Sequence, residues 1–360
     1  MENLRLQKVL QEMKVNSIPH MIITDPASIY YLTNKWISPG ERLLALYLTE
    51  SGNHKLLINE LFPLTEEIGI EKIWYKDTDY PVKILAKFID TALIKTIGID
   101  KNWPSRFLLQ LMELKSDYNF VNGSFIIDTI RMIKDTKEIE LMKEASSLND
   151  CAIEKVIGLI AGDSSEKEIC NKLIDIYDSL GTDGPSFDPI IAFGANCSDP
   201  HHEPDGSSPK PGDSVIIDIG CKKSFYCSDM TRTVFYKSVS EEGRRVYNIV
   251  KEANARAIAT VKPGVRFCDI DIAARSYIEE MGYGKYFTHR TGHSIGLEVH
   301  DEGDVSSTNT NVVLPGMIFS IEPGIYLPGG FGVRIEDLVV VTDDGCLVLN
   351  NYTKELTIID

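Results

Sequence analysis

Five residues of metal-ligating type stand in this 360-residue chain at spacings that invite chemistry: Asp218, Asp229, His293, Glu322 and Glu336. Asp218 follows the apolar run Val215-Ile216-Ile217, and Asp229 opens Asp229-Met230-Thr231-Arg232-Thr233, with a polar turn at Lys222-Lys223-Ser224 midway. Folded as a β-hairpin about that midpoint, the two runs set Asp218 opposite Asp229 on one face. Glu322 and Glu336 repeat the arrangement around Leu327-Pro328-Gly329-Gly330, a turn-forming stretch whose centre bisects them. Singly, an Asp in an apolar strand is ordinarily a hydrogen-bonded core or edge residue, and a Glu before Pro belongs to a turn. Gathered together, four partly buried carboxylates repel one another and demand a compensating cation. With the imidazole of His293 they make a donor set suited to Mn2+, Co2+ or Zn2+. Two such ions about 3.5 to 4 Å apart form a clamp that activates water without a protein nucleophile.

The elements that must carry these residues divide near residue 128. Before it, Ile18 to Ile23, Leu43 to Leu48, Lys55 to Asn59 and Thr96 to Asp100 read as short strands. Helical candidates at Tyr80 to Leu93 and Ser105 to Lys115 lie among them, the alternation of a small α/β domain. After it, Lys134-Asp135-Thr136 starts a helix that runs to about Ile160, followed by helices at Ser165 to Leu180, Ser240 to Val261 and Phe267 to Met281. Helices followed by a carboxylate hairpin thus occur twice, which implies two similar halves facing one another across the metals. Glycines 292, 296, 324, 329, 330 and 332 are expected to let the backbone turn tightly around the site.

The blocks Ile217-Asp218-Ile219-Gly220, Ser228-Asp229-Met230-Thr231-Arg232-Thr233, His289-Arg290-Thr291-Gly292-His293, Gly296-Leu297-Glu298-Val299-His300, Ile321-Glu322-Pro323-Gly324-Ile325-Tyr326 and Val333-Arg334-Ile335-Glu336-Asp337 resemble those of the Xaa-Pro dipeptidases (prolidases) and the related aminopeptidase P. These belong with methionine aminopeptidases and creatinase to the pita-bread group. The resemblance covers essentially the whole chain. It implies an α+β protein: a pita-bread catalytic domain over residues 128–360 behind a smaller α/β, creatinase-like accessory domain over residues 1–127. It further implies a peptidase cleaving the Xaa-Pro bond of dipeptides with two divalent ions, manganese ahead of cobalt or zinc. Aminopeptidase P, which takes longer peptides, shares every block.

The resemblance also implies roles. Asp218 would hold the second ion, Asp229 and Glu336 would bridge, and His293 with Glu322 would complete the first, Glu322 doubling as the base. His300 would contact the scissile amide, and His201, in Pro200-His201-His202, would bind substrate or stabilise the intermediate. Thr231 is expected to orient Asp229. Arg334 is a candidate for the substrate carboxylate, or else an ion-pair partner of Glu336 or Asp337. His289 is either a supporting group behind the ligands or a core histidine, and Tyr226 and Phe187 are weaker pocket candidates. His202 is not required by the pattern.

A net charge of −16 argues against nucleic acid or an anionic membrane as partner. Seven cysteines without paired spacing fit reduced thiols in a cytoplasmic protein, and Cys221 and Cys227 are read as two thiols although a hairpin could bring them close. Met1 to Val15 reads as an amphipathic helix and not a signal peptide. A homodimer is expected, with the loop Trp36 to Arg42 reaching towards a partner's cleft. A metal-free creatinase-like amidinohydrolase and a non-catalytic binding module of the same fold are the other readings. Both would be expected to lose ligands, and here all five positions are filled. A methionine aminopeptidase usually needs no N-terminal domain of this size.

Overall fold

The short apolar runs near the N-terminus pair into one six-stranded sheet. The computed structural model describes residues 2–89, 94–160 and 164–360 and divides into two units, Met1–Ile130 and Arg131–Asp360. In the first, the sheet order is Glu71–Tyr75, Lys55–Asn59, Ala45–Thr49, His20–Ile23, Thr96–Ile99 and Asn119–Asn122. Ile22, Tyr47, Leu57 and Ile97 of this sheet share a core with Val82 and Leu85 of the helix Pro81–Ala86 and with Phe107 and Leu111 of the helix Ser105–Leu114. The helix expected from Tyr80 to Leu93 is therefore shorter, and residues 90–93 of that stretch lie outside the described residues. The sequence reading misses the edge strands Glu71–Tyr75 and Asn119–Asn122, whose residues are mostly exposed or half-buried and so lack an apolar run. It also misses the helices Pro26–Thr33 and Ser124–Met132. The first of these does carry end marks: Asp25 caps it through Ser28 N, Pro26 opens it, and Asn34 closes it in the left-handed region at φ 56°.

In the second unit each helix pair backs one hairpin. The helices Thr136–Ile160 and Glu166–Leu180 precede the strands Ser214–Ile219 and Met230–Tyr236; Glu241–Thr260 and Phe267–Glu280 precede the strands Ile318–Ile321 and Asp337–Val341. The helix ends are set locally, as at Glu166–Leu180, where Ser165 and Glu168 form a capping box and Gly181 terminates the helix at φ 71°. Ile153 and Leu173 pack with Val215, Ile217, Ile219, Met230 and Val234 in one core, and Val250 and Ile270 with Ile321, Ile325, Val333, Ile335 and Val339 in another. Each such side chain, buried, stabilises by about 1.5 to 3 kcal/mol.

Because strand side chains alternate, sending those residues to the helices turns Asp218 and Thr231, and likewise Glu322, Arg334 and Glu336, to the opposite face. The two hairpins are stitched to each other from both faces. Glu336 N donates to Thr231 O at 3.1 Å, Thr233 Oγ1 donates to Arg334 O at 2.8 Å, and buried Arg232 reaches Glu336 O at 2.6 Å and Asp337 at 2.8 Å. Among the described residues no helix is long and apolar enough to cross a membrane.

Candidate active site

The first hairpin forms with a register two residues away from the one its polar turn suggests. Asp218 faces Thr231, not Asp229. The cause is the turn itself: Lys223 pairs with Tyr226, and the two residues between, Ser224 and Phe225, take positive φ of 49° and 69°, as a two-residue type I′ turn requires. A shift of two keeps the face, where a shift of one would have sent a carboxylate into the helix-packed core. Asp229 therefore lies diagonal to Asp218 and still beside it. The same register places Cys221 and Cys227 on opposite faces, and both are free thiols. In the second hairpin the expected register holds: Gly324 pairs with Arg334 on one side of the carboxylates and Ile321 with Asp337 on the other, leaving Glu322 across from Glu336.

His293 joins them from the short strand Gly292–His293, paired with Asp304–Val305. Gly292 does not serve a tight turn. A Cβ there would sit 1.8 Å from Ser320 O, so its role is to let the His293 segment lie against the Glu322 strand; of the six expected glycines, Gly329 and Gly330 stand at a turn, which Gly330 N closes on Leu327 O at 2.9 Å, and Gly329 takes a positive φ of 69°. His293 Nδ1 lies 3.2 Å from Ser294 O. A carbonyl only accepts, so Nδ1 carries the proton and Nε2 presents a lone pair. That lone pair faces Asp229 Oδ2 at 3.6 Å and Glu322 Oε1 at 3.5 Å. Asp229, His293 and Glu336 bring one ligand atom each within 4.8 Å of one another. Asp218 Oδ1 and Asp229 Oδ1 are buried with no hydrogen-bond partner among the described residues. Buried acceptors that converge with two of their oxygens left without a donor fit a cation site, and their chemistry suits hard or borderline divalent ions.

The electrostatics agree. Burial first, then the repulsion of Glu336, Asp218 and Glu322, drives Asp229 well above the usual carboxylate range, and burial with Glu322 and Asp218 does the same to Glu336. Burial likewise raises Glu322. Burial pushes His293 down to about 4, and desolvation plus the neighbouring His293 push His300 to about 4, so both rings are neutral at physiological pH. The two rings meet edge-on with centroids 4.3 Å apart.

These groups line a cavity of about 610 Å3 together with His201, His289, Arg334, Phe187, Asp188, Ile190, Arg290 and Val299, a size in the range that encloses a small ligand. Three expectations need correction. Thr231 orients Glu336, to whose Oε2 it donates at 2.7 Å, and not Asp229. Arg334 pairs with neither Glu336 nor Asp337: its Nη2 donates to Asp218 Oδ2 at 2.6 Å, while Asp337 is taken by Arg232 and Lys354. Tyr226 is buried away from the cavity lining, donating to Glu138 at 2.8 Å.

His289 acquires a defined place. Its Nδ1–H donates to Arg290 O at 2.7 Å, so its Nε2 accepts from Tyr326 OH at 2.8 Å, and that hydroxyl in turn accepts from Arg334 Nη1 at 2.9 Å. His289 and Tyr326 thereby fix the guanidinium that holds Asp218. Sequence reasoning assigned Tyr326 no role, nor Ser320, whose hydroxyl donates to Glu322 Oε1 at 3.2 Å. Their positions in the ligand-bearing strands, with Ser320 two residues before Glu322, could have marked them.

Residues 140–343 match the model of Metallopeptidase family M24, and residues 5–133 that of the Creatinase/Prolidase N-terminal domain. The chain is 36% identical over 360 aligned residues to an uncharacterized peptidase of Staphylococcus aureus, covering 97% of this chain and 99% of the relative. The crystal structure of a prolidase from Thermococcus sibiricus matches with a TM-score of 0.94 at 36% identity, covering 99% of this chain and 98% of that one. An Xaa-Pro dipeptidase from Bacillus anthracis matches with a TM-score of 0.90 at 30% identity, covering 99% of each chain.

Proposed function

The chain belongs to metallopeptidase family M24, and from that premise we propose that it hydrolyses the Xaa-Pro bond of dipeptides with two divalent metal ions. The observation that carries the reading is the cluster of buried acceptors, two of whose oxygens have no hydrogen-bond partner among the described residues, lining a cavity of dipeptide scale. The structural likeness to a prolidase and an Xaa-Pro dipeptidase over essentially the whole chain supports the choice of substrate.

Asp218, Asp229, His293, Glu322 and Glu336 would hold the ions, with manganese favoured over cobalt and zinc because four of the five donors are carboxylates. Bound there, such ions supply Lewis acidity, lowering the pKa of water and polarising the scissile carbonyl. The chain's own groups do the rest. Glu322, raised by burial and held by Ser320, is placed to accept a proton and return it to the departing amine. His300 is neutral, and with His201 it lines the cavity to donate hydrogen bonds to the substrate amide and its developing oxyanion. A prolyl nitrogen has no hydrogen, so the site need offer no acceptor for one. Arg334, a cation lining the cavity, is the candidate for the dipeptide carboxylate.

The expected outcome is a higher kcat/KM for Ala-Pro than for Ala-Pro-Ala-Ala, lost on chelation and restored by Mn2+. A clear preference for the tetrapeptide would move the assignment to aminopeptidase P. The same reading places a homodimer in the cytoplasm, supported for the compartment by seven free thiols; light scattering of the active enzyme tests the dimer.

A further inference from the structure

His202, which the motif does not call for, follows His201 directly and ties the segment to a buried carboxylate. Its Nε2–H donates to Glu166 Oε2 at 2.7 Å. Glu166 opens the helix Glu166–Leu180 and is completely buried. Both of its oxygens are saturated by N–H donors: Oε1 by Phe193 N at 2.8 Å and Asn196 Nδ2 at 2.9 Å, Oε2 by His202 and by Asp205 N at 2.9 Å. Glu166, His202 and Asp205 bring ligand atoms within 4.8 Å of one another, as a cation site would. The four donors already on the carboxylate leave it no lone pair directed at an ion, so this is an anchor and not a second metal centre.

The backbone reinforces it. Glu166 N donates to Ser207 O and Lys167 N to Asp205 O, fastening the far end of the loop to the first turn of the helix. On the other side of His201, Pro200 O accepts from Arg334 Nη1 at 3.4 Å, the guanidinium that holds Asp218. His201 itself is exposed and lines the cavity. It stands between two pinned neighbours, one tied to the metal-ligand network and the other to a buried carboxylate.

We propose that Glu166 and His202 are positioning residues that hold the otherwise irregular 199–207 loop so that His201 faces the substrate. The proposal rests on the reading of His201 as a substrate-contacting group. An exposed histidine on a loop of Pro, Asp, Gly and Ser would otherwise sample many orientations, and pre-setting one of them is worth rate and not merely stability.

The test uses the metal-loaded full-length enzyme and Ala-Pro. His202→Ala is expected to lower kcat about tenfold or more with unchanged metal content, and His202→Gln, whose amide N–H reaches the same carboxylate, to restore most of it. Glu166→Gln should not be tolerated so well, because its new NH2 would confront two N–H donors. The deciding comparison is a double-mutant cycle: in a His201→Ala background, His202→Ala should cost nothing further. An equal loss in both backgrounds, or full activity of His202→Ala, would overturn the proposal. If the alanine variant is insoluble, His202→Asn, too short to span the gap, reads the same lost contact. Wild-type turnover of His201→Ala alone would remove the reading of His201 itself, an outcome distinct from the others.

Discussion

Replacing Thr231 by Val removes one oxygen from the heart of the site and changes almost nothing else. Thr231 is fully buried, and Val has its shape, so no cavity opens. The hydroxyl donates to Glu336 Oε2 at 2.7 Å and accepts from Arg334 Nε at 3.1 Å. Each is a hydrogen bond to a charged group, contributing about 1.5 to 3 kcal/mol, and losing the acceptor strands a buried guanidinium N–H. A ligand that loses such a support typically loses about 10- to 100-fold in metal affinity, or about 1.4 to 2.8 kcal/mol. Thr233 supplies the control: it is equally buried and also makes two hydrogen bonds to the facing strand, but both go to the Arg334 backbone. Calorimetric titration of Mn2+ into chelator-stripped protein should therefore show weaker binding in Thr231→Val and near wild-type binding in Thr233→Val, while urea melts show both variants destabilised. Wild-type affinity in Thr231→Val, or equal weakening in both, would refute the view that Thr231 acts on the metal through Glu336.

Two further outcomes follow from the same geometry. His300→Ala should lower kcat on the order of 100-fold with metal content intact, the behaviour of a group felt in the transition state, whereas His293→Ala should lose metal; equal metal loss by elemental analysis in both would reverse the assignment of the two rings. Because burial and mutual repulsion raise Asp229, Glu336 and Glu322 above their unfolded values, the chelated protein binds more protons folded than unfolded, so its stability should fall as pH rises from about 4 towards neutrality. Metal-loaded protein should show a smaller fall, and parallel Tm–pH curves for the two forms would count against the carboxylates as the coupled groups.

The proposed carboxylate ligands stood out as a group because they bracket turn-forming stretches in mirrored pairs. Val215, Ile217 and Ile219 pack against the helices, and Asp218 falls on the other face, where Ile216 is buried as well. Turn chemistry was a weaker guide to register. Gly329 and its neighbours located the second turn, whereas Ser224 and Phe225, adopting positive φ without a glycine, gave no notice that the first turn lay one residue further on. The error was harmless to the site for a physical reason: a two-residue shift changes which residue stands opposite but preserves the face. In the N-terminal unit the strands with continuous apolar runs were readable, and the polar edge strands Glu71–Tyr75 and Asn119–Asn122 were not.

What the sequence hides is the layer behind the ligands. Thr231 meets Glu336 across 105 residues, Arg334 meets Asp218 across 116, and Glu166 meets His202 across 36. No local periodicity records such pairs, since each partner's side-chain direction is set by its own element and their meeting by the packing of two hairpins and a loop. Reading Thr231 as the support of its near neighbour Asp229 failed because proximity along the strand was taken for proximity in space. Arg334 illustrates the consequence for function. With its Nε on Thr231, Nη1 on Tyr326 and Pro200, and Nη2 on Asp218, it is the hub through which a change at the cavity wall reaches the proposed metal ligand Asp218. Substitution of Arg334 therefore removes a cavity-lining cation and unpairs Asp218 together, and a raised KM in such a variant is not by itself evidence of a lost substrate contact. Of the two supports, Thr231 touches both Glu336 and this hub, whereas the His202 ring donates to Glu166, so His202 is the one whose substitution leaves the guanidinium and its hold on Asp218 in place.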